Sequence, residues 1–354
     1  MRMKDCIFQN WSVALPMVLP LFGWVSPASS ADLRSQLPPD IDRIVFAQRT
    51  IPQDGHWYAN IGYAAPGPEV KRYGDQGKLS VLNVRTAKVV DLINDPDGAL
   101  RDPQVHYDGK TILFSYRPSG TDHYHLYEIQ SDGSGLRQLT RGAFDDFEAT
   151  YLPNNKIMFV STRCRRWVNC WLTHVAVLYT CDLDGNSIQQ VSANIEHDNT
   201  PWPLPDGRVL YQRWEYVDRS QVHYHHLWTT NPDGTGQMVY YGNLRPGILM
   251  IDAKPIPGTD EVVAIFSPGH GSREHAGQLT ILSQSQGPDN PSAVSQPSKN
   301  RQCRDPYTLN SDLFLLAQGH QMWLMNRTGQ HEVLYSLPED AQKRGAWLHE
   351  NPGP

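Results

Sequence analysis

One short pattern recurs along this chain and narrows the folds open to it. A turn of the Asp-Gly type leads into an apolar strand, then into a second strand marked by a Leu-aromatic pair, then into another Asp-Gly turn. Asp108-Gly109-Lys110 precedes Thr111-Ile112-Leu113-Phe114-Ser115, followed by Leu126-Tyr127 and Asp132-Gly133. Asn154-Asn155-Lys156 precedes Ile157-Met158-Phe159, followed by Leu178-Tyr179 and Asp184-Gly185. Asp206-Gly207-Arg208 precedes Val209-Leu210-Tyr211, followed by Leu227-Trp228 and Asp233-Gly234. The Leu-aromatic pair stands at 126, 178 and 227, steps of 52 and 49 residues. Weaker copies flank these three: Ile44-Val45-Phe46, Val262-Val263-Ala264-Ile265-Phe266 and Leu313-Phe314-Leu315-Leu316.

Six units of about 54 residues fit a propeller blade. Asp-Gly between apolar runs is a strong hairpin signal, with positive φ expected at both turn residues. A single small antiparallel sheet cannot bury both faces, whereas six packed around an axis can, and only short edges stay open. The expectation is therefore an all-β, six-bladed β-propeller of four-stranded antiparallel blades. Two stacked β-sandwiches, the alternative, do not explain the regular spacing. The first unit lacks an innermost strand ahead of Ile44, so ring closure has to draw on a segment near one end of the chain.

Composition agrees. Charged residues are 19% of the chain and aromatics 10%, which disfavours disorder; the chain is too poor in Ala, Glu, Lys and Leu for a helical bundle, and Gly and Pro, 27 each, point with the aromatics to many short strands. The net charge of −6 gives no basic footprint for nucleic acid.

Residues 1–31 read as a secretory signal peptide. Arg2 and Lys4 precede an apolar run from Trp11 to Val25, broken by Pro16 and Pro20, and small residues follow. Ser29 and Ala31 suit cleavage after Ala31. The run is too short for a spanning helix, so no membrane span is expected after signal removal. Residues 32–354 would then be the propeller, in the periplasm or secreted.

The repeats resemble TolB-like propellers. A more specific resemblance rests on His56-Trp57-Tyr58-Ala59-Asn60, Ser161-Thr162-Arg163-Cys164, the run Arg213-Trp214-Glu215-Tyr216-Val217-Asp218-Arg219, and Asn231-Pro232-Asp233-Gly234-Thr235. These look like the middle domain of the hydrazine synthase alpha subunit and its exported relatives. In that family c-type haem is attached through C-x-x-C-H segments outside the repeats. This chain has no such segment and carries no covalent haem of its own.

Propeller geometry makes a further expectation. Loops between second and third strands open on one face, together with the blade-to-blade connections, and such loops carry function. That face would hold His56, Trp57, His123, Arg213, Trp214, Glu215, Asp218, Arg219, His270 and His275 as ligand-binding candidates. Cys164 and Cys170 suit a disulfide in an exported chain. Alternatively Cys164, His174, His197 and Cys303 suit a metal ion such as zinc. His223 and His225 fall on one side of their strand and His226 on the other, open to packing or metal roles. The Arg213–Arg219 run suits either salt bridges that lock a loop or recognition of an anionic or sugar-like ligand. No G-x-S-x-G or other complete catalytic motif is present. The leading expectation is a ligand- or protein-binding scaffold without independent catalysis. The alternatives are a metal-dependent lyase or hydrolase with its site at the same mouth, or a subunit of a multi-haem redox complex.

Overall fold

The computed structural model of the chain describes residues 32–51, 74–271 and 276–353. Blade 1 contains β1 (Arg43–Thr50), β2 (Gly77–Asn83) and β3 (Val89–Asp95). Blade 2 runs β4 (Ala99–Val105), β5 (Thr111–Arg117), β6 (His125–Gln130) and β7 (Arg137–Gln138). Blade 3 runs β8 (Asp146–Leu152), β9 (Lys156–Ser161), β10 (Val177–Asp182) and β11 (Gln189–Gln190). Blade 4 runs β12 (Asp198–Pro203), β13 (Val209–Val217), β14 (Ser220–Thr230) and β15 (Met238–Tyr241). Blade 5 runs β16 (Ile248–Pro255), β17 (Glu261–Pro268), β18 (Gln278–Ser283) and β19 (Val294–Ser295). Blade 6 runs β20 (Arg304–Thr308), β21 (Leu313–Gln318), β22 (Gln321–Asn326) and β23 (His331–Ser336). A short helix, α1 (Glu339–Lys343), then leads to β24 (Ala346–Gly353).

The missing innermost strand of blade 1 is β24. It pairs antiparallel with β1, Ala47 opposite His349 and Thr50 opposite Ala346, giving the order β24-β1-β2-β3. The innermost strands then pack in a circle: β24 on β4, β4 on β8, β8 on β12, β12 on β16, β16 on β20, and β20 on β24. The propeller is six-bladed, and its two chain ends meet in one sheet.

The second strands are largely buried, because neighbouring blades cover both faces; β13 is the exception, its end at Glu215–Val217 emerging from the blade. β9 buries Ile157, Met158, Phe159 and Val160 completely, and β21 does the same with Phe314, Leu315 and Leu316. The cores therefore lie between blades: Leu33, Ile44, Phe46, Leu315, Leu324 and Leu348 share one of them.

The Asp-Gly turns differ in one respect from the hairpin chemistry expected of them. Positive φ occurs at the glycine alone, for example 76° at Gly185 and 87° at Gly234, and not at the preceding aspartate. The aspartate instead accepts the amide two residues on, as in Lys110 N–H to Asp108 Oδ1 at 2.7 Å and Thr235 N–H to Asp233 Oδ1 at 3.0 Å. This is an Asx-type turn, which needs one left-handed residue rather than two. Glycine has a second reason to be there. A Cβ at Gly185 would lie 2.2 Å from Leu139 O of blade 2, and one at Gly234 would lie 2.2 Å from Val191 O of blade 3. At these two positions the repeat signal marks a place where blades touch; Gly109 and Gly207 face open space.

Blades 4 and 5 share a further link. β14 pairs in parallel with β16 at Tyr224–Ile248 and His225–Leu249, which joins the two blades into one continuous sheet. Among the described residues, no helix is long and apolar enough to cross a membrane.

Candidate functional site

On the loop-bearing face, the side chain that organises blades 4 and 5 is Trp214. It lies in β13, fully buried, and its Nε1–H donates to Gln221 O at 2.9 Å. Three imidazoles surround it: His197 at 5.9 Å, His225 at 5.1 Å and His270 at 4.8 Å between ring centroids. They come from the β11–β12 connection, from β14 and from the β17–β18 loop. His225 Nε2 and His270 Nδ1 lie 2.6 Å apart, one ring donating and the other accepting. His197 Nδ1 accepts the Ala176 amide at 3.0 Å. Burial holds His225 well below the usual imidazole pKa and pushes His197 down to about 3. Both rings are neutral at physiological pH and act as packing and hydrogen-bonding groups.

The Arg213–Arg219 run forms the β13–β14 hairpin, and both guanidinium groups are engaged within the protein. Arg213 Nε meets buried Asp198 Oδ1 at 2.8 Å, Nη2 reaches Gln237 Oε1 at 2.8 Å, and the group lies 4.6 Å over Trp228. Arg219 donates to Glu215 Oε2 at 2.9 Å and to Asn243 O at 2.9 Å, with its guanidinium 3.7 Å over Tyr224. Asp218 stands exposed at the hairpin tip. Loop-locking ion pairs, one of the two roles open from sequence, are the geometry found. His123 Nδ1 lies 3.6 Å from buried Asp145, and that pairing is the main cause of its raised pKa. His56, Trp57 and His275 lie outside the described residues.

The sulfur and metal expectations need correction. Cys164 carries a free thiol that donates to Val175 O at 3.2 Å, so a Cys164–Cys170 disulfide is not formed. The loop between them is closed by other means: Trp167 and His174 form a β-bridge, and their rings lie 4.1 Å apart. That fold-back leaves Cys170 exposed. Cys303 is buried between blades and joined to Gly277 through backbone hydrogen bonds. Cys164, His174, His197 and Cys303 do not gather into a zinc-type site. Among the described residues no three His, Cys, Asp or Glu side chains converge tightly enough to hold a metal. The reason is local: His174 packs at a tilt against Trp167, whereas His197 packs against Trp214.

Two features were not read from the sequence. The first is axial. Each of five innermost strands carries a bulge, with a left-handed residue at equivalent positions: Asp102 (φ 56°), Glu148 (50°), Thr200 (50°), Asp252 (57°) and Asp305 (50°). Their side chains link neighbouring blades. Asp102 Oδ2 accepts the Glu148 amide at 2.8 Å, and Glu148 Oε2 accepts the Thr200 amide at 2.8 Å. Thr200 Oγ1 accepts the Asp252 amide at 3.3 Å. Arg101 bridges Asp102 and Glu148 at 3.0 Å each, and the Lys254 ammonium sits 4.9 Å over Trp202. These groups enclose a cavity of about 30 Å³, room for about two water molecules. Burial pushes Glu148 up to about 7 against the pull of Arg101. It pushes Asp252 up to about 8, with Asp305 adding to it, and pulls Lys254 down. The signal was present as Asp102-Pro103, Glu148-Ala149, Thr200-Pro201, Asp252-Ala253 and Asp305-Pro306, at steps of 46 to 53 residues.

The second is an apolar sector on the loop face. Trp167, Leu172, Ile195, Val217, Val222 and Leu244 are 38–70% exposed. They stand on adjoining loops and hairpin ends of blades 3 and 4. Ile195 and Val217 face a groove of about 630 Å³ between the two blades, floored by Arg213, Asn194 and Gln237. Among the described residues, the other large exposed apolar side chains are Val90, Tyr107, Leu136 and Met238.

No family model and no curated protein matches the chain. Solved structures match it in fold. Hydrazine synthase of Kuenenia stuttgartiensis superposes with a TM-score of 0.73 at 18% identity, covering 90% of this chain and 47% of that one. TolB from Acinetobacter baumannii gives 0.58 at 12% identity, covering 90% and 69%. A chain of a nidogen–laminin complex gives 0.57 at 8% identity, covering 86% and 97%. This chain spans about half the length of the hydrazine synthase chain. The resemblance to TolB-like and hydrazine synthase propellers expected from the repeats holds at the level of fold.

Proposed function

We propose that this chain is an exported propeller that acts as a binding scaffold, docking a partner protein on the loop face of blades 3 and 4. The observation that carries the reading is the exposure of Trp167, Leu172, Ile195, Val217, Val222 and Leu244 on loops and hairpin ends that hydrogen-bond to one another, Arg166 to Asn194, Asn169 to Glu196 and Arg219 to Asn243. Isolated surface hydrophobics are ordinary, whereas a cluster of them on one face marks an interaction surface. The Trp214 histidine cluster and the Arg213–Asp198 pair tie down the loops that present these side chains. An anionic ligand at the Arg213–Arg219 run is disfavoured, because both guanidinium groups already have partners. One fold neighbour was solved in a nidogen–laminin complex, a precedent for protein binding by this architecture.

The test is in-cell photo-crosslinking in the native host, with the crosslinker placed at Leu172 or Leu244. Leu136, on the opposite loop set of blade 2, serves as control. A discrete adduct from Leu172 and Leu244 and none from Leu136 is the expected result. Equal labelling from all three positions, or turnover of a substrate by the purified chain alone, would remove this reading.

A further inference from the structure

A second cavity on the loop face has a different chemistry. It holds about 290 Å³ and is lined by Gln302, Gln318, His320, Gln321, Gln342 and Trp347. Four elements of the blade 6 and blade 1 seam meet there: the β19–β20 connection, the β21–β22 turn, α1 and β24. Among the described residues, no Asp, Glu, Lys or Arg lines it. The volume lies just under the range of roughly 300–1,000 Å³ for small-molecule pockets, which suits a single ring.

Its polar groups are anchored at one end. Gln318 Oε1 accepts from Asn300 Nδ2 at 2.6 Å, leaving its NH₂ for the pocket. Gln342 Nε2 donates to Leu337 O at 2.6 Å, leaving its carbonyl. His320 Nδ1 lies 2.6 Å from Ala346 O and donates to it, which leaves Nε2 for the pocket. The Arg304 guanidinium lies 4.9 Å over the Trp347 ring and holds it in place. The cavity thus offers fixed neutral donors, fixed neutral acceptors and one large aromatic surface.

We propose that this pocket binds one unit of a neutral carbohydrate. A sugar hydroxyl both donates and accepts, which side-chain amides and an imidazole nitrogen match. The apolar C–H face of a pyranose suits an indole. Charged ligands find no counter-charge among the described lining residues, and a purely apolar ligand would strip the amides of water without replacing it. The proposal is independent of protein docking at blades 3 and 4.

The experiment is saturation-transfer NMR of the full chain with glucose, galactose, mannose, N-acetylglucosamine, maltose and the charged controls galacturonate and glucosamine. A short Gln/Ser-rich peptide is added as a further probe. At least one neutral sugar should show transfer, with galacturonate and glucosamine weaker. Trp347→Ala should abolish it. Gln302→Ala and Gln342→Ala, at exposed or half-buried positions that leave the fold intact, should each weaken it by about tenfold. Absence of transfer from every neutral sugar would overturn the proposal. So would signals unchanged in both glutamine variants, stronger binding of a charged sugar, or binding of the peptide alone.

Discussion

Glu148 reaches across the seam between blades 3 and 4 and accepts the backbone N–H of Thr200 at 2.8 Å. The contact depends on backbone geometry as much as on charge. A left-handed residue in the innermost strand turns its amide out of the ladder and toward the neighbouring blade, where a side chain accepts it. The same arrangement links Asp102 to the Glu148 amide. A non-glycine residue at positive φ costs of order 1–3 kcal/mol. The interblade hydrogen bonds, two of them to carboxylates, offset that strain and hold the blades in register around the axis.

This network makes stability depend on pH. The Glu148 carboxyl is raised to about 7, chiefly by burial. In the unfolded chain its pKa would be about 4.3, so between these values the native state holds a proton that the unfolded state has lost. Its share of stability is complete below about pH 4 and is lost as pH rises through about 7. Asp252 acts in the same direction through about 8. Lys254, pushed down by burial, acts with the opposite sign on the alkaline side. Melting temperatures compared between about pH 5 and about pH 8 should fall for the wild-type chain and fall less for Glu148→Gln. The difference is up to about 3 kcal/mol across that range. Identical slopes would mean that Arg101 and the Thr200 amide keep Glu148 ionised throughout.

Ring closure rests on one strand. Leu348 of β24 is fully buried in the core shared by blades 1 and 6, and its carbonyl accepts from Arg304 Nη2 at 2.8 Å. Leu348→Ala should cost about 2–5 kcal/mol in urea denaturation. Removing residues 346–353 should leave β1 with an open edge and lower the transition midpoint further, with a broadened transition as blades lose cooperativity. Unchanged stability on removal of β24 would argue that β1 to β23 close the circle unaided.

The blades and their number were legible because a repeat advertises itself: Leu126, Leu178 and Leu227 mark equivalent strands, and the gap ahead of Ile44 pointed to a strand from elsewhere. Where that strand lay was hidden, since Ala346-Trp347-Leu348 carries no Asp-Gly marker. Gathering of loops on one face follows from propeller geometry, but side-chain direction does not. Cys164 and His174 share a loop, yet a bridge between Trp167 and His174 turns the histidine onto an indole. The axial residues escaped notice because a bulge reverses the in–out alternation by which strands are read.

The two arginines of the β13–β14 hairpin should behave differently. Arg213 neutralises Asp198, which is fully buried, so Arg213→Ala leaves an uncompensated carboxylate and should cost about 3–5 kcal/mol. Arg219 and Glu215 pair near the surface, and Arg219→Ala should cost about 1 kcal/mol or less. Chemical denaturation of both variants against wild type gives the comparison. Equal costs would mean that Arg213 serves mainly through its stacking on Trp228 rather than through Asp198.

Thiol chemistry provides the last check. Burial pushes Cys181 up to about 12 and Cys303 up to about 11, so neither forms thiolate at neutral pH. Only the thiolate reacts rapidly with alkylating agents. Alkylation of the native chain at about pH 8, read by peptide mass spectrometry, should leave Cys181 and Cys303 unmodified, and both should label once urea unfolds the blades. Cys164, half-buried and unbridged, should label in the native chain. Labelling of Cys303 without denaturant would require the seam between blades 5 and 6 to open, because that residue sits under its backbone pairing with Gly277.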